Sequence, residues 1–226
     1  GWVCLVGCEE VVTGTDIHSF TAKVLTDAGE PTTRQQAKAA TFRPLYGGGS
    51  GSEALKAYCE YFKEKYVGIS SMQRGWALKC VDKGQYETPY GMTFYFPHTK
   101  MHKHTGYIDN TTNIYNFPVQ GFATGEIIPI ALVYFWHKTR DLRVRIMATI
   151  HDSIDTKTHK DDVEEATEIA KECLTKDVYA HLEKVYKYKM RVPLGLGATA
   201  GKYWGDKTAT ELKWDCLPST GEFIER

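Results

Sequence analysis

RQQAKAATFRPLYGGG, residues 34–49, carries a distinctive side chain at every fourth position: Arg34, Lys38, Phe42 and Tyr46, with Gly47 directly behind. On a helix each four-residue step overshoots a full turn by about 40°, so the four side chains form one slowly winding stripe. At 1.5 Å per residue the stripe is about 18 Å long. Two cations stand at its start and two aromatic rings at its end. That polarity matches an extended ligand with anionic phosphates at one end and a flat ring at the other. Arg suits a terminal phosphate as a planar fork, Lys suits an inner phosphate as a point charge, and aromatic rings can lie against sugar and base. An amphipathic helix with a solvated basic end has the same spacing. Thr33-x-x-Gln36, or Thr32-x-x-Gln35, has the form of a capping box at the helix start. Pro44 should disturb its last turn, and Gly47, Gly48 and Gly49 should end it.

The pattern R-x-x-x-K-x-x-x-F-x-x-x-Y-G, led by a D-x-H at Asp16 and His18, resembles the fingers helix of family A (DNA polymerase I-like) DNA polymerases. Further matches follow in order. VQG at residues 119–121, with Asn116 four residues before Gln120, is similar to the family's P-x-Q-G segment. IHDSI at residues 150–154 is similar to the palm hairpin that carries a catalytic His-Asp. VPLG at residues 192–195, followed by Tyr203 and Trp204, resembles the C-terminal strand. The resemblance covers residues 11–205 and has a phage-like compactness.

The resemblance implies an α+β chain: a helical fingers region with part of an antiparallel-sheet palm, a partial right-hand fold. The implied divisions are an unmatched leader over residues 1–10, fingers over 11–110, palm over 111–205 and a tail over 206–226. Arg34, Lys38 and His18 would then bind the incoming triphosphate, with Phe42 on the sugar and Tyr46 near the templating base. Asn116 and Gln120 would reach minor-groove acceptors, which look alike for every base pair and so suit an enzyme that must accept all four. His151 would approach the primer terminus. Asp152 would be a Mg²⁺ ligand, with Lys38, His151 and Asp152 closest to the chemistry. The implied partners are primer-template DNA and dNTPs, and the implied place is the cytoplasm, a host's if the gene is phage-borne.

Three positions depart from the family pattern. Only fifteen residues precede Asp16, and none matches the upstream palm motif bearing the other metal-ligating Asp. Ser153 stands where Glu is usual, with Asp155 nearby, and Thr112 stands where Arg is common. The expectation is therefore the C-terminal part of a split or truncated enzyme, completed by an N-terminal polymerase half on a separate chain. The alternative is a catalytically inactive nucleotide- or DNA-binding piece.

Composition sets wider limits. The 42% hydrophobic content is enough for a sizeable core, and a formal net charge of zero leaves any nucleic-acid groove to local charge separation. No apolar run reads as membrane-spanning and no secretory leader is convincing, so no membrane partner is expected. Six cysteines without a C-x-x-C pair read as free thiols of a reducing compartment. Periodicity predicts helices over 16–28, 52–66 and 70–82, and strands and turns over 85–109. The loop HTKMHKH (98–104) reads as a solvated basic turn or a phosphate contact. A buried apolar helix is predicted over 116–139. A strand over 143–150 should have Val144, Ile146, Ala148 and Ile150 on one face, and an amphipathic helix should cover 161–188. The last twenty residues read as an irregular tail.

Overall fold

The computed structural model describes residues 16–46, 51–88 and 90–225. The expected leader, Cys4, Cys8, Gly47, Gly48 and Gly49 lie outside the described residues. The chain divides into two compact units, the first ending at Val119 and the second beginning at Gln120. Helices with small antiparallel sheets make up both, as the α+β reading expects.

The first unit opens with α1 (Ile17–Asp27), capped by the Asp16 carboxylate, which accepts from the His18 amide. Next comes α2 (Arg34–Tyr46). Its capping box forms at the later of the two expected registers: the Thr33 amide donates to Gln36 Oε1 at 2.9 Å, and Gln36 N–H points back at Thr33 Oγ1 at 3.4 Å. Pro44 sits inside α2, which continues to Tyr46. There Gln73 Nε2 donates to the Leu45 carbonyl at 2.6 Å, a partner for a helix end that has run out of amides. Ser52 caps α3 (Glu53–Lys65), and α4 (Val67–Lys83) ends at Gly84 with φ +67°, a left-handed stop that glycine adopts without cost. Leu25, Ala40, Leu55 and Tyr58 form the core where α1, α2 and α3 meet. Small Ala37 and Ala40 let α2 approach closely.

Strands β1 (Gln85–Glu87) and β2 (Thr93–Tyr95) pair antiparallel, and Tyr86 stacks between Trp76 and Phe96 in a second core that also holds Ile114. That core braces α5 (Thr111–Gln120). Pro118 has no amide for the Ile114 carbonyl four residues back, and the Tyr86 hydroxyl donates to that carbonyl instead at 3.2 Å.

In the second unit a π-helical segment (Gly121–Ile127) leads into α6 (Ile128–Lys138). The helical run Thr111–Lys138 is 28 residues long, with a window of mean hydropathy 1.3. By length and composition it could cross a bilayer, which corrects the reading that no apolar run is long enough. Its burial is also one-sided rather than complete. Ile127, Ile128, Ile130, Ala131 and Phe135 are buried, while Val133 and Trp136 are exposed, with Arg140 4.0 Å over the Trp136 ring. Ile127, Ile130 and Ala131 pack with Val178 and Leu182 as the core of this unit.

The hairpin of β3 (Val144–Ile150) and β4 (Ser153–Thr158) follows. Its register slips by one residue between Ile146 and Ala148, so the single face expected for Val144 through Ile150 is broken at Met147. The predicted helix over 161–188 is a composite: a 3₁₀ turn (Lys160–Asp162), α7 (Val163–Glu172), a π segment (Cys173–Asp177) and α8 (Val178–Tyr186). Arg143 closes the open end of the hairpin with a double contact to Asp162, Nη2–Oδ1 at 2.7 Å and Nε–Oδ2 at 2.8 Å. The Arg143 guanidinium holds the Asp162 carboxyl down at about 2.

The expected tail is not irregular: after β5 (Leu194–Ala200), the strand expected at VPLG, it supplies β6 (Thr210–Cys216) and β7 (Phe223–Glu225), and the three pair antiparallel in that order as one sheet. Its aromatic residues rest on lysines of the helical layer: Lys171 Nζ lies 4.7 Å from the Trp214 ring centre and 4.6 Å from that of Phe223. Cys59, Cys80, Cys173 and Cys216 are free thiols, as expected, and burial pushes Cys80 up to about 11 and Cys173 up to about 12.

Candidate functional site

The stripe forms on α2 within the first unit. Arg34 and Lys38 are exposed, Phe42 is 47% exposed, and Tyr46 is half-buried. The rings make a ladder. His18, from α1, meets Phe42 edge-on with ring centres 5.8 Å apart, and Phe42 stacks on Tyr46 at 6.3 Å. A large apolar ring thus stays half in water beside an imidazole and a phenol.

At the cationic end Arg34 is already oriented. Its Nε donates to Asp16 Oδ2 at 2.5 Å and its Nη2 to Oδ1 at 3.3 Å. The same carboxylate accepts the Ser19 hydroxyl at 2.6 Å and the His18 amide at 3.2 Å. The Arg34 guanidinium first, and the Ser19 hydroxyl next, hold the Asp16 carboxyl well below the usual carboxylate range. Both side chains are substantially exposed, so the pair is worth little stability. Its consequence is geometric, because a guanidinium gripped through Nε and Nη2 presents Nη1 to a ligand. Lys38, one turn on, makes no ion pair among the described residues, so its charge is available too.

Sequence reasoning missed the support beneath this row. His18 Nδ1 lies 3.2 Å from Thr41 Oγ1, Thr41 Oγ1 lies 3.0 Å from Thr21 Oγ1, and Thr21 Oγ1 lies 3.1 Å from the Tyr58 hydroxyl. Those three hydroxyl residues come from α2, α1 and α3, twenty and thirty-seven positions apart, so no local pattern announces them. Threonines on the apolar faces of α1 and α2 were the available signal.

Asn116 and Gln120 stand one turn apart on α5, Asn116 half-buried and Gln120 exposed. Gln120 is the last residue before the π segment, and Thr124 Oγ1 donates to its carbonyl at 2.7 Å.

His151 and Asp152 form the two-residue tip of the β3–β4 hairpin, between the paired Ile150 and Ser153. His151 has φ +52°, a left-handed conformation that a residue with a Cβ seldom takes and that turns the chain in two residues. Both tip residues are exposed, and Ser153 Oγ donates to the Ile150 carbonyl at 3.1 Å to close the turn. Among the described residues no group of three or more His, Cys, Asp or Glu side chains converges as a metal cage. Asp152 fits as one hard-oxygen ligand, but the described residues do not amount to a divalent-cation site. The sequence-predicted residues thus fall into two sets. The first unit contains His18, Arg34, Lys38, Phe42, Tyr46 and Asn116, and the second contains Gln120, His151 and Asp152.

The chain belongs to DNA polymerase family A, whose model matches residues 8–206. It is 26% identical over 204 residues to the thermostable DNA polymerase I of Thermus caldophilus, covering 84% of this chain and 23% of that protein. It is 27% identical over 211 residues to DNA polymerase I of Rhizobium leguminosarum, covering 85% of this chain and 20% of that one. The chain therefore spans only a fifth to a quarter of the length of these relatives. Among solved structures it resembles the POL domain of Pol1 from M. smegmatis in complex with DNA primer-template and dNTP. That match has a TM-score of 0.59 and 22% identity, over 75% of this chain and 32% of the other. At that identity the likeness establishes the fold, a partial polymerase fold.

Proposed function

We propose that this chain forms the nucleotide-holding part, and one corner of the catalytic part, of a DNA-directed DNA polymerase. The observation that carries the reading is the α2 row: an oriented guanidinium, a lysine without an ion pair among the described residues and a half-exposed ring ladder, in the order of phosphates, sugar and base. In this reading Arg34, Lys38 and His18 hold the triphosphate of a dNTP, Phe42 supports the sugar, and Tyr46 lies near the templating base. Asn116 and Gln120 accept any base pair in the minor groove, and His151 approaches the primer end.

The reaction is an in-line displacement. The primer 3′-hydroxyl gives up its proton to solvent as its oxygen forms a bond to the α-phosphorus, the α–β bridging bond breaks, and pyrophosphate leaves. Arg34 and Lys38 neutralise charge on the departing phosphates, and Lys38 can pass them a proton. Asp152 is the ligand this chain offers toward Mg²⁺, and no metal-routed step is assigned to the described residues alone. The remaining carboxylates would come from polymerase sequence upstream, on the same or a separate polypeptide. A phage origin and a cytoplasmic setting belong to the same proposal.

A second reading, a nucleotide- or DNA-binding piece without catalysis, is favoured by the lack, among the described residues, of three or more His, Cys, Asp or Glu side chains grouped to hold a metal. Two measurements separate the readings. The 226-residue chain should bind dNTPs in equilibrium titrations, and Arg34→Ala should weaken that binding. Primer extension should be absent with the chain alone and appear when the upstream polymerase portion is supplied. Binding without any rescue of extension would select the second reading, and no binding at all would remove both.

A further inference from the structure

Thr21, Thr41 and Tyr58 are buried, with 0%, 5% and 2% of their surfaces exposed, and their hydroxyls meet at the junction of three helices. Three hydroxyls own three protons, and the acceptors around them are numerous. Thr21 Oγ1 lies 2.8 Å from the Ile17 carbonyl, and Thr41 Oγ1 lies 2.8 Å from the Ala37 carbonyl. A carbonyl cannot donate, so a buried hydroxyl beside one spends its proton there. Should the Thr41 proton turn to Thr21 instead, it is still committed away from the imidazole. With its proton on either of these oxygens, Thr41 Oγ1 meets His18 Nδ1, 3.2 Å away, as an acceptor. Nδ1 must then carry a proton.

We propose that Thr41 is a positioning residue that fixes His18 as its Nδ1–H tautomer and thereby presents Nε2 to an anionic phosphate group. This rests on the reading of His18 as a triphosphate contact and deepens it. An unconstrained neutral histidine favours the opposite tautomer, so the protein has to impose this one. No hydrogen bond to Nε2 forms among the described residues, and the Phe42 and His18 rings meet edge-on with centres 5.8 Å apart. Thr41 can accept from the neutral Nδ1–H form of His18 and, more strongly, from the imidazolium, because both carry the Nδ1 proton. A hydrogen bond between Nε2 and a phosphate oxygen, carried by a shared proton, leaves that anchor unbroken. An acceptor-only residue in place of Thr41 would do the same; an apolar one would not.

The test is the ¹⁵N spectrum of the histidine-labelled chain at neutral to mildly basic pH, with His18 among the eight histidines assigned through His18→Gln. Wild-type His18 should show the Nδ1–H pattern. Thr41→Val should release it toward Nε2–H and weaken dTTP binding by about threefold to tenfold, the worth of one hydrogen bond. Thr41→Ser, which keeps the hydroxyl, should restore both. Wild-type His18 found as Nε2–H overturns the proposal, as does Thr41→Val retaining Nδ1–H. If Thr41→Val does not fold, the wild-type and Thr41→Ser spectra still decide. If the tautomer behaves as stated while dTTP binds to no variant, the positioning stands and the triphosphate reading falls.

Discussion

The α2 row and the β3–β4 tip hold their polar side chains in different ways. Around α2, the Arg34 fork is gripped by Asp16, which is itself tied to Ser19 and the His18 amide, and His18 leans on a buried hydroxyl chain. At the hairpin tip, the Ile150–Ser153 pairing and one serine hydroxyl hold the turn, and the side chains of His151 and Asp152 stand in water. One region is pre-organised from within the chain. The other offers a carboxylate on a stiff turn and leaves its partners to be supplied. Binding and chemistry should accordingly be separable, with each unit failing in its own way when altered.

The largest effect should come from Asp152→Asn in the complemented enzyme. Loss of one metal-directed carboxylate should lower primer extension by about a thousandfold, the rate equivalent of roughly 4 kcal/mol, while dNTP binding by the chain stays unchanged. If single-turnover extension survives at more than a tenth of wild type, the tip is not where the chemistry happens. Next, Arg34→Ala should weaken all four dNTPs alike by about tenfold to a hundredfold, as expected for lost charge-assisted hydrogen bonds, measured by competitive titration. An effect confined to one base would mean that Arg34 reads the base and not the phosphates.

Phe42→Tyr tests the middle of the row. A hydroxyl added there can replace the one a dideoxynucleotide lacks, so use of chain terminators should rise by about tenfold with ordinary incorporation nearly unchanged. Unaltered terminator discrimination in an active enzyme would show that the ladder does not face the sugar.

The smallest effect belongs to the Arg143–Asp162 closure of the hairpin. The Asp162 carboxyl is held at about 2, below its ordinary 3.8, so its contribution to stability is present above about pH 4 and lost as pH falls toward 2. Melting midpoints of the wild type should fall across that window more than those of Asp162→Asn, and identical acid limbs would show that the pair does not tie the hairpin.

Much of the first unit is legible from its letters because its signals are local. Asp16 and Ser52 cap helices, and the Thr33–Gln36 box sets the start of α2. The residues of the row share one helix and were readable from spacing. Their support was not, since Thr21, Thr41 and Tyr58 meet only through tertiary packing. In the second unit the misses have other causes. The slip at Met147 inserts one residue into a period-two pattern that looks unbroken on paper. The strands after residue 206 were passed over for their Gly, Pro and mixed charge. Yet TELKWDC alternates Leu212, Trp214 and Cys216 with Glu211, Lys213 and Asp215, which is a strand signature. Apolar residues along α6 suggested full burial, but composition does not say how many sides of a helix find a neighbour.

The π segments at Gly121–Ile127 and Cys173–Asp177 change the phase of the helices that contain them. Each wide turn accommodates about one residue more than an α-turn, so the faces beyond it are rotated by about 100° relative to an uninterrupted helix. Such a turn behaves like a stored insertion. Removing one residue from 121–127 should let the wide turn relax to ordinary α-helix while Ile128, Ile130 and Ala131 keep facing their own core. The same deletion two turns later, inside α6, would swing the residues beyond it, buried Phe135 among them, out of phase with that face. Length variation among relatives should therefore gather at these two wide turns, where a helix can gain or lose a residue and keep its register.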